Sequence, residues 1–215
     1  MSLRIHGTLH RGDLTLTLDL DLPAGITAIT GPNGSGKSSI LRLIAGLEAL
    51  DAGRLTIDDT VVDDRAAGEF VPPEQRDVAL AFQQPRLFPH LDVRHNIAYP
   101  LRRQHVGAAE AAEIAHEHAA RVGAVSLLEL RPGQLSGGQA QRVALATAMA
   151  SGAATILLDE PLASIDEAAR ADIRRLLRGL DTPRVVWVTH DPVDAVGADA
   201  TVSISDGVVR QTDGS

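Results

Sequence analysis

Residues 31–38 read Gly-Pro-Asn-Gly-Ser-Gly-Lys-Ser, which is the phosphate-binding pattern of two glycines, a lysine and a hydroxyl at fixed spacing. An apolar run at residues 26–30, Ile-Thr-Ala-Ile-Thr, comes directly before it and predicts a buried strand. Apolar residues spaced by three and four between 40 and 47 follow it and predict a helix. Strand, glycine-rich loop and helix form the context in which this pattern binds phosphate, because backbone N–H groups and the positive end of the helix point at the anion.

Composition singles out Lys37 within this loop. It is the one lysine among the 20 basic residues of the chain, and the other 19 are arginines. A compact ammonium suits the terminal phosphates of a nucleotide, and the Ser38 hydroxyl suits Mg²⁺. The lone lysine therefore favours a phosphate site over an incidental glycine-rich turn.

Length and composition bound the class of protein. With 215 residues and 44% hydrophobic content, the chain can form one large domain with a sizeable core. Its net charge of −8 argues against a nucleic-acid binder held by a broad basic face. The chain contains no cysteine, which excludes disulfides and thiolate metal sites. No apolar run is long enough for a membrane span or a secretory signal, so we expect a soluble cytoplasmic protein.

The N-terminal part predicts a small antiparallel β layer. Residues 14–22 alternate strictly between leucine and polar residues, which is typical of a strand with one buried face. Residues 54–63 predict short strands around an Asp58-Asp59 turn. Further along, the pattern predicts buried strands at 78–82, 155–158 and 185–189, helices at about 136–150 and 167–178, and two short strands near 200–210.

Residues 84–135 predict an inserted helical subdomain. Pro85, Pro89 and Pro100 interrupt a segment that is otherwise helical in pattern, and residues 108–122, rich in Ala and Glu, predict an exposed helix. We expect a single domain over 1–215, in which 1–83 and 136–215 form a nucleotide-binding core with its β layer.

Four predicted strands end in polar residues suited to nucleotide chemistry. The first leads into the loop with Lys37, and the others end at Gln83, at Asp159-Glu160 and at His190. Each of these ends is by itself as compatible with an ordinary turn or a structural residue. Because ligands of open parallel sheets bind outside the carboxyl ends of the strands, we expect the four ends to converge on one site.

Phosphoryl-transfer chemistry suggests a role for each strand end, since it consists mostly of positioning and charge neutralisation. Asp159 would hold Mg²⁺ through water, opposite Ser38, and Gln83 would contact the metal and the attacking water. Glu160 would orient or deprotonate that water, and His190 would hydrogen-bond the γ-phosphate. Which of the last two takes the proton stays open at this point.

Residues 136–139, Ser-Gly-Gly-Gln, predict a second anion site at a helix start, with Ser136 as the N-cap. An ordinary capped helix is the alternative. A twofold dimer gives the second site a purpose, because each subunit can offer it to the nucleotide held by the other.

Together these residues resemble the ATP-binding cassette (ABC) ATPases, and the resemblance covers essentially the whole chain. Residues 31–38 are similar to the Walker A motif, Ile156–Glu160 to Walker B, and Leu135–Gln139 to the signature motif of that family. Ser164–Asp166 is similar to its D-loop. The resemblance implies an α/β fold with a P-loop NTPase (RecA-like) core, an N-terminal antiparallel β layer and an inserted α-helical subdomain.

The resemblance also implies a set of site residues, with ATP and Mg²⁺ as cofactors. The nucleotide-binding residues would be Gly31, Pro32, Asn33, Gly34, Ser35, Gly36, Lys37, Ser38, Ser39, Ser136, Gly138 and Gln139. The catalytic residues would be Glu160, His190 and Gln83, and the metal ligands would be Ser38, Gln83 and Asp159.

Family resemblance further implies partners and a location. Two cassettes would close head-to-tail over two ATP molecules, with a homodimer expected, and the 84–135 subdomain would dock on a membrane permease at the inner face of the cell membrane. Residues 72–76 and 87–97 are most similar to importer ATPases for small oxyanions such as molybdate. The alternatives are a soluble ABC ATPase acting on nucleic acid or ribosomes, and a subunit that binds nucleotide without hydrolysing it.

Several features depart from the family pattern. The first aromatic residue is Phe70, so the ring that usually stacks on adenine near residues 8–12 is missing; His10 or Arg11 could substitute, but we expect both to lie in a surface turn. Ala140 and Thr147 stand where Gln or Arg is usual, and we expect altered side-chain pairing there. We also expect this chain to lack the C-terminal regulatory domain of many importer ATPases. The histidines between 90 and 118, including His116 and His118, are expected on the surface without a metal.

Overall fold

The computed structural model describes residues 2–165, 167–180, 182–205 and 207–213, and it divides the chain into two compact units. The first unit contains the residues up to Val78 together with those from Thr182 onward. The second unit begins at Ala79 and continues to residue 180. The first is mainly β-sheet, and the second is mainly helical.

The strands and helices are numbered in chain order. The strands are β1 (Leu3–Arg11), β2 (Leu14–Leu22), β3 (Gly25–Thr30), β4 (Ala52–Ile57), β5 (Thr60–Asp64), β6 (Glu69–Phe70), β7 (Val78–Ala81), β8 (Thr155–Asp159), β9 (Arg184–Thr189), β10 (Ala200–Ser205) and β11 (Val208–Asp213). The helices are α1 (Lys37–Ile44), α2 (Val93–Arg103), α3 (Ala108–Arg121), α4 (Gly137–Ala150), α5 (Glu167–Arg178) and α6 (Pro192–Ala195). Short 3₁₀ turns lie at Pro73–Gln75, Val125–Leu127 and Pro132–Gln134.

The sheet of the first unit has the strand order β6-β5-β4-β1-β2-β11-β10-β3-β9. Its antiparallel part, which pairs β1 with β2 and β4, and β4 with β5, confirms the predicted N-terminal β layer. The leucines of β2 from Leu16 to Leu22 are buried and alternate with exposed neighbours, as the pattern predicted. Asp58 and Asp59 have φ of 47° and 68°, so a tight left-handed turn joins β4 to β5.

Sequence patterns did not identify β1, although it lies at the centre of the antiparallel layer. Its apolar residues Leu3, Ile5 and Leu9 alternate, but Gly7 interrupts the pattern. The glycine is required there because a Cβ on it would lie 2.1 Å from the carbonyl oxygen of Ala52 on β4. Close approach of two backbones thus hides the strand signal.

Parallel pairing organises the other end of this sheet. β3 pairs in parallel with both β9 and β10, and β11 pairs in parallel with β2. The residues of β9 are all buried, which matches the continuous apolar run that predicted it. The carboxyl ends of β3 and β9 therefore lie at one edge of the sheet.

Arg76 fixes the end of α1 to the β layer. Its buried guanidinium donates hydrogen bonds to the carbonyl oxygens of Leu43 and Ile44, in the last turn of α1, and to those of Val62 and Val71. Burial lowers the pKa of this guanidinium below its ordinary value, with Asp63 opposing the shift. Arg76 thereby satisfies helix C-terminal carbonyls that have no partner in their own helix.

The second unit packs α2 and α3 against α4. The prediction of an exposed helix at 108–122 was wrong for one face, because Ala111, Ala115 and Ala119 are fully buried at a spacing of four. His118 was also expected on the surface. It is half-buried, its Nδ1 has no hydrogen-bond partner among the described residues, and desolvation lowers its pKa.

The compact units and the predicted subdomain have different boundaries. The second unit contains β8 and α5 in addition to α2, α3 and α4, whereas the prediction confined the subdomain to 84–135. The subdomain boundaries stay a prediction. Among the described residues, no helix is long and apolar enough to cross a membrane.

Candidate functional site

The phosphate loop connects β3 to α1 in the first unit. Gly36 adopts the left-handed conformation at φ 96° and precedes the first residue of the helix. The conformation requires glycine, and a Cβ there would also lie 2.6 Å from Cδ1 of Leu16, so that this side chain would have to move. Gly31, with φ 150°, is equally confined, since a Cβ would lie 2.4 Å from the carbonyl oxygen of Ile204. Two glycines therefore hold the loop tightly against the sheet.

Lys37 lies inside the loop. Its residue is 5% exposed, and its Nζ donates to the carbonyl oxygens of Gly31 and Pro32, each at 2.8 Å. The loop thus keeps a buried positive charge beside the helix N-terminus, and both features favour the binding of an anion.

Ser35 provides an observation that sequence alone could not supply. Its hydroxyl is buried and has no hydrogen-bond partner among the described residues. A Cβ on Gly31 would lie 3.0 Å from this Oγ, so the hydroxyl is directed to the interior of the loop. A buried donor without an acceptor is costly, and a phosphate oxygen is an acceptor of the right kind.

His190 follows β9, the strand beside the loop. In the parallel register Thr30 lies opposite Thr189, so the phosphate loop and His190 leave the sheet at the same edge. The His190 side chain is exposed. Within the first unit, the structure therefore brings together the two strand ends that carry Lys37 and His190.

Gln83, Asp159 and Glu160 form a second group, in the second unit. The neighbouring strands β7 and β8 lead to it, and Nε2 of Gln83 donates to Oε2 of Glu160 at 3.0 Å. Asp159 is buried at the end of β8. The structure therefore pairs the side chains of two residues that are 77 positions apart in sequence.

Glu160 has a strained backbone. Its φ is 48°, in the left-handed region that residues with a Cβ rarely adopt. Such a conformation costs roughly 1–3 kcal/mol and persists where the surrounding structure imposes it, which is frequent at functional sites. Glu160 has this conformation directly after β8, and its carboxylate accepts the hydrogen bond from Gln83.

The start of α4 carries Ser136, Gly138 and Gln139. Ser136 Oγ accepts from the N–H of Gln139 at 3.3 Å, while Gln139 Oε1 accepts from the N–H of Ser136 at 2.8 Å. This capping box confirms Ser136 as the N-cap. Ser136 and Gly137 are exposed and Gly138 is partly buried, so this helix start faces solvent within the described chain.

Gly138 brings the start of α4 close to the segment after Glu160. A Cβ on Gly138 would lie 2.6 Å from the carbonyl oxygen of Ser164, whereas one on Gly137 would lie 3.9 Å from the Ser164 Cβ. Ser164 belongs to the predicted D-loop, whose Asp166 lies outside the described residues. Sequence reasoning recognised both motifs but not their contact.

Other predicted features have local explanations. Thr147 donates its hydroxyl to the carbonyl oxygen of Val143, one turn earlier in α4, at 2.9 Å. His10 and Arg11 are held by Asp51 and Glu48 respectively. No metal-binding group of three or more His, Cys, Asp or Glu residues occurs in the described ranges. A cavity of about 490 Å³ lined by Arg121, among others, does not include the predicted site residues.

Comparisons with known proteins agree with this geometry. A family model described as ABC transporter matches residues 16–163. The chain is 40% identical over 200 residues to the sulfoquinovosyl glycerol transport ATP-binding protein SmoE of Agrobacterium fabrum, covering 90% of this chain and 54% of the relative. It is 40% identical over 216 residues to the molybdenum import ATP-binding protein ModC of Pseudomonas fluorescens, covering 94% and 58%. The chain spans about half the length of the curated relatives it matches.

A solved structure extends the likeness to three dimensions. The dimeric structure of a post-hydrolysis state of the ATP-binding cassette MJ0796, bound to ADP and Pi, matches with a TM-score of 0.84 at 29% identity. The match covers 99% of this chain and 97% of that one. The predicted fold class, an α/β fold with a P-loop NTPase core, is confirmed.

Proposed function

This chain belongs to the ABC transporter family, and on that premise we propose that it is the ATP-binding and ATP-hydrolysing subunit of a membrane importer. The observation that carries the proposal is the phosphate loop, in which Lys37 is buried and the Ser35 hydroxyl has no hydrogen-bond partner among the described residues; both features favour the binding of an anion. Both groups fit the phosphates of ATP, one by charge and one by hydrogen bonding.

In the proposed reaction, residues of both units would have roles. Gly31 to Ser39 would hold the phosphates, while Ser38, Asp159 and Gln83 would supply oxygen ligands to Mg²⁺, which neutralises phosphate charge when bound. Glu160 would orient or deprotonate the attacking water, and His190 would contact the γ-phosphate. The hydrogen bond between Gln83 and Glu160 supports a shared position for these two beside the water.

We propose that a second copy of the chain completes the nucleotide-binding site. Ser136, Gly138 and Gln139 would reach the nucleotide bound by the partner copy, and the solvent-facing start of α4 supports this arrangement. The dimeric form of the matching ATP-binding cassette supports it as well. A self-contained capping box leaves Ser136 and Gln139 ordered before any nucleotide arrives.

The proposed contact with the permease is an aromatic cluster in the 84–135 segment. The ring centroid of Phe88 lies 4.4 Å from that of Tyr99 and 5.9 Å from that of His90. Phe88 and Tyr99 are each more than a third exposed. Buried Asn96 orders this loop, accepting from the N–H of Phe88 at 2.7 Å and donating to three carbonyl oxygens of residues 88–92. Exposed aromatic rings on an ordered loop are typical of binding surfaces.

Molybdate or another small anion is the proposed solute, and its transporter would place this subunit at the inner face of the membrane. Molybdenum import proteins are among the relatives, along with proteins named for sugars and glycerol phosphate. Uptake assays with the co-purified permease, comparing molybdate with a sugar and with glycerol phosphate, separate the three. Uptake of a sugar in place of an anion would contradict this part of the proposal.

Glu160→Gln tests the proposed reaction. Loss of the carboxylate should slow phosphate release roughly 100- to 10,000-fold, the usual range for losing a general base, while ATP still binds. Size-exclusion chromatography should then show an ATP-dependent dimer. Glu129→Gln is the matched control, because Glu129 is an exposed carboxylate of the same unit that pairs with Arg94. An unchanged rate of hydrolysis in Glu160→Gln would remove Glu160 from its proposed role.

A further inference from the structure

The connection from β9 to α6 contains a buried polar pair that the proposed reaction does not use. Thr189, the last residue of β9, is 4% exposed, and Asp194 in α6 is 6% exposed. The Thr189 hydroxyl lies 3.0 Å from Oδ2 of Asp194. Between them in sequence stands His190, the exposed residue assigned to the γ-phosphate.

Hydrogen-bond chemistry assigns the direction of this contact. A carboxylate oxygen accepts, so the Thr189 hydroxyl donates to Oδ2 of Asp194, the nearer of its two acceptors; the other, the carbonyl oxygen of Asp191, lies at 3.4 Å. A lone pair of the Thr189 hydroxyl oxygen accepts from the N–H of Asp191 at 3.0 Å. One hydroxyl therefore ties together the residue before His190, the residue after it, and the helix that follows.

Asp191 closes the connection from the other side. Its Oδ1 accepts from the N–H of Val193 at 2.9 Å, and its carbonyl oxygen accepts from the N–H of Asp194 at 3.1 Å. The backbone on both sides of His190 is thus held by short-range hydrogen bonds. The His190 side chain itself is exposed.

We propose that Thr189 and Asp194 are positioning residues that hold His190 at the edge of the phosphate loop. Their effect on the reaction passes through His190, because the contacts described hold the backbone on either side of it. Thr189 lies opposite Thr30, the residue that precedes Gly31. The Thr189–Asp194 pair, called the anchor below, is therefore next to the start of the phosphate loop. This inference rests on the proposed function for its kinetic consequences, although not for its structural ones.

A purely structural role for the pair makes a different prediction. If Thr189 and Asp194 only stabilise α6, their loss lowers stability and reduces activity by the same factor whether or not His190 is present. If they act through His190, their loss has no further effect once the imidazole has been removed, because residues that act as one unit are not additive.

A double-mutant cycle separates these two roles. Thr189→Val, which keeps the volume of the side chain but removes the hydroxyl, is measured alone and combined with His190→Ala. We expect Thr189→Val alone to lower kcat roughly 10- to 100-fold, as misplaced catalytic groups do, with the KM for ATP little changed. Combined with His190→Ala, it should cause no further loss of kcat. An equal loss in both backgrounds would overturn the proposal.

Conservative variants guard against a failure to fold. Thr189→Ser retains the hydroxyl and should restore most of the activity, and Asp194→Asn retains an acceptor oxygen and should lose less than Asp194→Ala. Thr201→Val is the matched control, because Thr201 is a partly exposed threonine of β10 in the same unit. Failure of Thr189→Ser to restore activity would overturn the role of the hydroxyl.

An NMR measurement tests the anchor without relying on hydrolysis. The imidazole Cε1–H signal of His190, assigned by its loss in His190→Ala, should shift and broaden in Thr189→Val but not in Thr189→Ser or Thr201→Val. A chain that hydrolyses no ATP would refute the proposed function, and this signal would still decide whether the anchor exists. An unchanged His190 signal in Thr189→Val would refute the anchor.

Discussion

The two glycine-rich helix starts of this protein, at α1 and at α4, satisfy their backbone in different ways. Within the described residues no side chain caps α1, whose N-cap is the left-handed Gly36 and whose loop encloses the buried Lys37. At α4, Ser136 and Gln139 exchange hydrogen bonds with each other's N–H groups and remain near the surface. One helix start carries its own charge and encloses a buried donor, and the other is neutral and internally satisfied.

Under the proposed function, this difference would give the two helix starts different parts in binding the nucleotide. The start of α1 can hold an anion by itself, since charge, hydroxyl and helix dipole are all present. The start of α4 lacks a fixed cation among its signature residues 135–139, so it suits the role of a second contact to a nucleotide already bound. Three substitutions test this division, and each has a matched control.

Lys37→Ala should have the largest effect. A hydrogen bond to a charged group contributes about 1.5–3 kcal/mol, so losing even one such bond from the ammonium should weaken ATP binding by roughly 10- to 100-fold. Isothermal titration calorimetry measures this directly. Arg42→Ala removes a cation from the same helix, one that pairs with Glu48, and should keep near-normal affinity. Normal ATP affinity in Lys37→Ala would contradict the assignment of α1 as the primary site.

Gly138→Ala should have an intermediate effect. It should disturb the start of α4 and leave ATP binding at the start of α1 unchanged. Because the new Cβ would meet the backbone oxygen of Ser164 at 2.6 Å, the start of α4 must shift, at a cost of about 1–3 kcal/mol. Thermal unfolding should show the destabilisation, and the ATP-dependent dimer should weaken.

Gly137→Ala serves as the control for this substitution, since its Cβ would lie at an ordinary 3.9 Å from Ser164. It should melt close to the wild-type temperature. Equal melting temperatures for the variants at 137 and 138 would show that the approach of α4 to Ser164 is not tight.

Ser136→Ala should have the smallest effect of the three. It removes the acceptor for the N–H of Gln139, and losing such a cap costs about 1 kcal/mol of stability. ATP affinity of the isolated chain should not change, because α1 supplies the primary site. Ser126→Ala, at an exposed serine in the same unit, is the control. A drop in the ATP affinity of monomeric Ser136→Ala would contradict the assignment of primary ATP binding to the start of α1 alone.

Sequence patterns predicted most of the elements because each carries a strong local signal. Alternating leucines predicted β2, a continuous apolar run predicted β9, and an N-cap serine followed by glycines predicted α4. Where the signal came from contacts with distant residues, prediction failed. β1 was missed because Gly7 is dictated by β4, and the buried face of α3 was missed because alanine is compatible with either environment.

The candidate site shows the same limit. Motif spacing was enough to single out Lys37, Glu160 and His190, and to suggest the chemistry of each. It could not indicate that Thr189 and Asp194 hold the connection around His190, since their contact depends on how the chain turns after β9. It also could not indicate that Gln83 donates to Glu160.

The sequence by itself determined the local chemistry of this protein. It encodes where strands turn into helices, which loop carries the phosphate-binding pattern and where the single lysine lies, because these depend on residues close together in the chain. Only the tertiary structure decided which distant groups meet. The strained Glu160 beside Gln83, the buried hydroxyl of Ser35 and the anchor around His190 depend on how strands pair and how backbones approach, and those distances are set by packing across the whole fold.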